Sequence, residues 1–258
     1  MCQRTSNKEK KARPLKLSAS LILIALIDTG ISLANLTDFQ RSRINQPLSH
    51  DLTHDQKQAS QPFEDSEGHG TQLARVILDS CSNCRIASIK IAKPKKARSD
   101  SFQPNADTIA NAIDRALKIK AEVIILSAGS LKGSKRLEAA SKAVAKSTSL
   151  FFTAAGNGIE NPFKPIAVST LFPQRYSHSF IVGNLDKTGQ KPSLLNFGPE
   201  IRLWLKDETG SSQACARAAA LTAQYWSLHR EATKTVIESQ LAKTPEIISP
   251  ELRSNPMP

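Results

Sequence analysis

Apolar runs broken by polar punctuation organise the chain. The longest runs from Leu17 to Ile27 and stops at Asp28-Thr29-Gly30. Val123-Ile124-Ile125-Leu126 stops at Ser127-Ala128-Gly129, and Leu150 to Ala155 stops at Gly156-Asn157-Gly158. Arg85 to Ala92 and Phe180 to Gly183 are two more such runs. Short continuous apolar runs predict strands buried on both faces. Between them the spacing changes. Ile109, Ala112, Ile113, Ala116 and Leu117 trace one face of a helix, as do Leu137, Ala140 and Val144. An apolar helical pattern also follows Gly68-His69-Gly70, and a run of alanines predicts a helix from Ser211 or Ser212 to about Leu228. Strands alternating with helices predict an α/β fold, three layers α/β/α with a mostly parallel central sheet. In such sheets functional residues gather at the carboxyl ends of the strands, where the punctuation falls.

Length and composition sharpen this picture little. The 258 residues suit one sizeable domain. Residues 17–230 are expected to form it, with a disordered basic arm at 1–16 and a peripheral tail at 231–258. The net charge of +12 favours acidic partners, yet only 5% of residues are aromatic and could stack on bases. No specific nucleic-acid partner is therefore expected. The basic arm followed by Leu17–Ile27 imitates a signal peptide, but no small-residue cleavage site precedes Asp28. A cytoplasmic location is the expectation. No apolar run is long enough to span a membrane. His50 and His54 read as surface histidines of an irregular segment, 32–66, and Lys93 to Arg98 as a solvated loop. Cys81-Ser82-Asn83-Cys84 reads as a structural turn, with a local disulfide in an oxidising setting, since no second C-x-x-C completes a zinc site.

Four polar residues at these ends carry the candidate chemistry. Each alone has an ordinary explanation: a turn Asp28, a loop His69, a turn Asn157, a capping Ser212. In order they are an acid at a strand end, a histidine between glycines, an asparagine at a strand end and a serine opening a helix. That is the inventory of a nucleophile, its base, an orienting carboxylate and an oxyanion donor. The blocks Ile27-Asp28-Thr29-Gly30, Gly68-His69-Gly70-Thr71, Ala155-Gly156-Asn157-Gly158 and Gly210-Ser211-Ser212-Gln213-Ala214 resemble the signature blocks of the subtilisin-like serine proteases (peptidase S8), in family order. Ser127-Ala128-Gly129 resembles the family's substrate-binding strand, and Asn196-Phe197-Gly198 the block that precedes its serine. The resemblance covers Leu21 to Trp226.

The resemblance implies a subtilisin-like fold and a serine endopeptidase. Ser212 would be the nucleophile, His69 the general base and Asp28 its orienting partner. Asn157 and the Ser212 N–H would form the oxyanion hole. Ser127, Ala128 and Gly129, with Ala154, Ala155 and Gly156, would bind an extended peptide or protein substrate as an added strand. No cofactor is expected, except that structural calcium is common in the family; a monomer is expected. Several positions depart from the family pattern: Gln72 for a histidine, Leu195 for a serine, Ser211 for a threonine and Ala216 for a proline. Arg75 stands where a glycine usually packs the histidine helix, and is expected to crowd His69. With the expectation, from the resemblance, that the folding-assisting propeptide of secreted relatives is missing, it motivates the alternative, a catalytically inactive relative that binds peptides without cutting them.

Overall fold

The computed structural model describes residues 21–53, 64–92, 104–158, 164–207 and 209–243. The basic arm, His54, the Lys93–Arg98 loop and the chain after 243 lie outside them. Seven strands form one sheet: β1 (Ile22–Asp28), β2 (His50–Asp51), β3 (Cys84–Lys90), β4 (Val123–Leu126), β5 (Leu150–Ala154), β6 (Phe180–Leu185) and β7 (Ile201–Lys206). Their order is β2-β3-β1-β4-β5-β6-β7, and every pairing is parallel. Among the described residues six α-helices accompany them: α1 (Asp38–Ser42), α2 (His69–Ser80), α3 (Ala106–Lys118), α4 (Lys135–Lys146), α5 (Ser211–Leu228) and α6 (Lys234–Lys243).

Side chains of β1 explain its unbroken apolar sequence. Ile22, Ile24 and Leu26 point into a core shared with α2, α5 and α6, whereas Ala25 and Ile27 point into a second core with α3 and α4. A strand alternates its side chains between faces, so only one covered on both reads as a continuous run. α5 is buried largely through small residues, with Ala214, Ala216, Ala218, Ala219, Ala220 and Ala223 all inaccessible to solvent. Small side chains let this central helix lie close to the sheet and to α2.

Two parts differ from the sequence expectation. The segment after Arg230, expected to be peripheral, contains α6, which sets Ile237 and Leu241 into the main core. Those residues are one helical turn apart and so share a face. Beyond Phe180–Gly183, the sheet gains β7, where Ile201, Leu203 and Leu205 are buried while Arg202 and Lys206 are exposed. At the α2–β3 turn Cys81 and Cys84 form a disulfide, and the buried Arg43 donates to the carbonyls of Leu78, Cys81 and Cys84. Among the described residues no helix is long and apolar enough to cross a membrane.

Candidate active site

β1 lies where the strand order reverses, with β3 on one side and β4 on the other. Connections leave its carboxyl end in opposite directions, which opens a crevice there. Asp28 is the last residue of β1. A helix following a parallel strand must run back across the sheet, so α2 and α5 begin at this same edge. His69 is the first residue of α2, and Ser211 and Ser212 are the first two of α5.

Asp28 and His69 are joined directly. The His69 Nδ1–Asp28 Oδ1 distance is 2.7 Å, with the carboxylate buried and the imidazole 37% exposed. Asp28 Oδ1 also accepts from the Thr29 N–H at 2.8 Å. The carboxylate is acceptor only, so Nδ1 carries the proton and Nε2 is the unprotonated ring nitrogen. Gly70 presses the start of α2 onto β1. A Cβ there would collide with the Gly30 carbonyl, and the Gly70 N–H donates to Thr29 Oγ1 at 2.8 Å.

Arg75 does not crowd this arrangement, contrary to the sequence expectation. α2 buries Gly70, Thr71, Leu73, Ala74, Ile77 and Leu78, which places positions 72 and 75 on the outer face. Arg75 is exposed and its guanidinium donates to the Asn35 carbonyl. Gln72 is exposed for the same reason.

Sequence reasoning missed Asp65, which sits four residues before His69 and is buried. Oδ1 accepts from Thr29 Oγ1 at 2.8 Å, and from the N–H groups of Glu67 at 3.1 Å and Gly68 at 2.8 Å. Oδ2 accepts from the Thr71 N–H at 2.8 Å and Thr71 Oγ1 at 2.6 Å. Asp65 thus ties the loop before His69, the first turn of α2 and the end of β1 into one unit. The only signal in the sequence was an aspartate ahead of a Gly-His-Gly turn, a residue type that caps turns through its side chain.

Burial alone would raise the Asp65 pKa, but the hydrogen bonds from Thr71, Thr29 and Gly68 outweigh it and hold the group below its ordinary value. A depressed folded-state value means stability that is present above about pH 4 and lost as the pH falls through it. Asp65→Asn should therefore lower stability by about 3 kcal/mol near neutral pH, because an amide NH₂ now faces donors. In denaturant titrations that deficit should shrink below about pH 4. A deficit independent of pH down to acid unfolding would contradict the charged hydrogen-bond network.

At the start of α5 the two serines separate. Ser211 is fully buried, its Oγ accepting from the Gly156 N–H at 3.1 Å and its N–H donating to Asn157 Oδ1 at 3.3 Å. Ser212 is half-buried. The first helical hydrogen bond runs from Ala214 N to Gly210 O at 3.1 Å, so the Ser212 N–H has no intrahelical acceptor. Gly210 has φ +124°, and a Cβ there would lie 2.9 Å from Asn157 Nδ2. Asn157 therefore stands against the start of α5, with Oδ1 taken by Ser211 and Nδ2 as its donor end. Asn196 fixes the loop that carries it: Nδ2 donates to Ala155 O at 2.9 Å, and Oδ1 accepts from the N–H groups of Gly158 at 3.1 Å and Ile166 at 3.0 Å.

One turn deeper, burial and then the Asp28 charge push the Cys215 thiol up, so Cys215 is no nucleophile at ordinary pH. Ser127, Ala128 and Gly129 continue from β4 as a half-buried segment outside any strand, and face Ala154, Ala155 and Gly156 at the end of β5. His50 lies on the edge strand β2, paired with Ile89 of β3. Among the described residues no group of three or more His, Cys, Asp or Glu is placed to hold a metal ion.

The sequence matches the Subtilase family over residues 20–247. A thermostable alkaline protease of Halalkalibacterium halodurans is 28% identical over 151 residues, a match that spans 56% of this chain and 39% of that relative. A cold adapted subtilisin-like serine proteinase has a similar structure, with TM-score 0.71 at 19% identity over 87% of this chain and 82% of that one. A lanthipeptide protease gives TM-score 0.71 at 20% identity over 86% and 80%. Family match, sheet order and three-layer architecture agree, and the chain belongs to the Subtilase family of serine proteases.

Proposed function

We propose that the chain is a serine endopeptidase acting through an acyl-enzyme on Ser212. The observation that carries this is the 2.7 Å bond between His69 Nδ1 and a buried Asp28, at the edge where α5 brings in Ser212 and the loop after β5 brings in Asn157. Ser212 Oγ attacks the peptide carbonyl while His69 Nε2 takes its proton. Asp28 keeps the imidazole in the required tautomer and stabilises its cation. The carbonyl oxygen, now negative, is met by Asn157 Nδ2 and the Ser212 N–H at the positive end of α5. His69 then passes the proton to the leaving amine. Water repeats the sequence on the acyl group, and the acid product leaves.

An extended peptide pairs with Ser127–Gly129, which runs as open backbone beside the site. The peptide-binding, non-cutting alternative was motivated by Arg75, which lies on the outer face of α2 and gives it no support. The Cys81–Cys84 disulfide fits an oxidising compartment better than the expected cytoplasm.

The test is covalent. A fluorophosphonate should label the folded protein once, and peptide mapping should place the adduct on Ser212. Adduct on another serine, or none on folded protein, would refute the acyl-enzyme.

A further inference from the structure

Between the two segments that flank the site, the structure places two side chains that the sequence did not single out. They are Leu171 and Gln174, from the loop joining β5 to β6. Gln174 is 1% exposed. Its Nε2 donates to Ala128 O at 3.3 Å and to Ala154 O at 3.1 Å, one carbonyl from each segment. Two carbonyl partners fix which end of the amide is nitrogen. Oε1 then lies beside Gly129, 3.3 Å from where a Cβ on that glycine would stand, and it has no partner among the described residues. Leu171 reaches from one segment to the other. Cδ2 is 3.5 Å from the Cβ position of Gly129 and Cδ1 is 3.9 Å from that of Gly156.

The slot matters because of its place. Ala154–Gly156 leads straight into Asn157. If a peptide pairs with Ser127–Gly129 and offers its carbonyl to Ser212, as proposed above, the side chain of that same residue would be directed towards the space between the two segments. Both walls lack bulk, at Gly129 and Gly156, so a deep slot would result if nothing filled it. Its floor would then be wet. Instead Leu171 is 5% exposed and Gln174 is 1% exposed.

We infer that Leu171 and Gln174 are specificity-determining residues that close this slot. They restrict the residue whose carbonyl is attacked to short side chains such as glycine, alanine or serine. The inference rests on the serine-peptidase reading for which carbonyl is attacked. A large side chain would have to push Gln174 aside, which leaves the Ala128 and Ala154 carbonyls without their donor. Buried acceptors stripped of a donor resist such displacement. Moving the slot wall outward elsewhere is opposed by the antiparallel bridge in which Ser130 and Phe172 exchange two hydrogen bonds of 2.9 Å.

The experiment uses the full chain and peptides that differ only at the attacked residue, with alanine, leucine or phenylalanine there. Wild-type kcat/KM should favour alanine over phenylalanine by about a hundredfold, the scale on which pocket size discriminates. Leu171→Gly should raise the phenylalanine-to-alanine ratio at least tenfold, and Gln174→Ala provides a second variant should the first not fold. Binding of the same peptides to Ser212→Ala protein reads the slot without chemistry, and the alanine peptide should bind at least tenfold more tightly. Equal binding, or variants that change all peptides alike, would overturn the inference. Preserved size preference in binding without any fluorophosphonate adduct would instead uphold the slot and overturn the acyl-enzyme.

Discussion

Ser212→Ala should abolish peptide hydrolysis, with kcat falling about a millionfold, while the thermal unfolding curve stays where it is. The two halves of this expectation have separate causes. Turnover depends on one oxygen, because His69 can only pass on a proton that a nucleophile has given it. Stability does not depend on it. Ser212 is half-buried in the first turn of α5 and is not its N-cap, which is Gly210. Alanine is the best helix former, so the change should move stability by less than about 0.5 kcal/mol. Ser211→Ala is the informative contrast. It removes the acceptor for the Gly156 N–H, and loss of one buried hydrogen bond costs about 1 kcal/mol. Activity should survive in part, since Asn157 still accepts from the backbone N–H of residue 211. Progress curves with a peptide substrate and melting curves of both variants decide the matter. Hydrolysis persisting in Ser212→Ala, or lost equally in both, would show that the nucleophile lies elsewhere.

How much of this was legible in the sequence follows from how each element is buried. β1, β4 and β5 are central strands covered on both faces, and their apolar runs declared them. β7 is an edge strand whose Arg202 and Lys206 are exposed, so they interrupt its apolar residues and it went unread. β2 is two residues long and has no pattern to show. α6 buries only Ile237 and Leu241, and its other large apolar residue, Val236, is exposed, so its pattern is too weak to tell a docked helix from a loose one. At the site, residues that would do chemistry stand in short motifs with glycine neighbours, and so were found. Those that hold them do not. Asp65 acts through five hydrogen bonds whose partners, Thr29 and Thr71 among them, are known only once the chain has folded. Gln174 bridges Ala128 and Ala154 from a loop with no motif of its own. Arg75 was misjudged because a departure from a family pattern says which residue changed, whereas the helical phase of α2 says where it points.

Asp28→Asn should cost about ten-thousandfold in kcat and little in KM or stability. The amide is the same size as the carboxylate it replaces. Its carbonyl oxygen can still accept from the Thr29 N–H, the 2.8 Å bond that turns the chain at the end of β1. What disappears is the negative charge 2.7 Å from His69 Nδ1. If the amide carbonyl keeps Nδ1–H, the imidazole remains in the right tautomer but nothing offsets the charge it gains on taking the Ser212 proton. If the amide NH₂ faces Nδ1 instead, the proton moves to Nε2 and the base is lost outright. Both arrangements slow the step in which His69 is positive, and neither alters a group that holds the peptide in the ground state. The burial of Asp28, 3% exposed, excludes water that could screen or replace the missing charge. Steady-state kinetics should thus show kcat and kcat/KM falling together, with Ser212 labelled by fluorophosphonate far more slowly than in wild type. A loss of less than tenfold would mean that the Asp28–His69 bond serves to anchor α2 on β1, and that the base acting on Ser212 is another group.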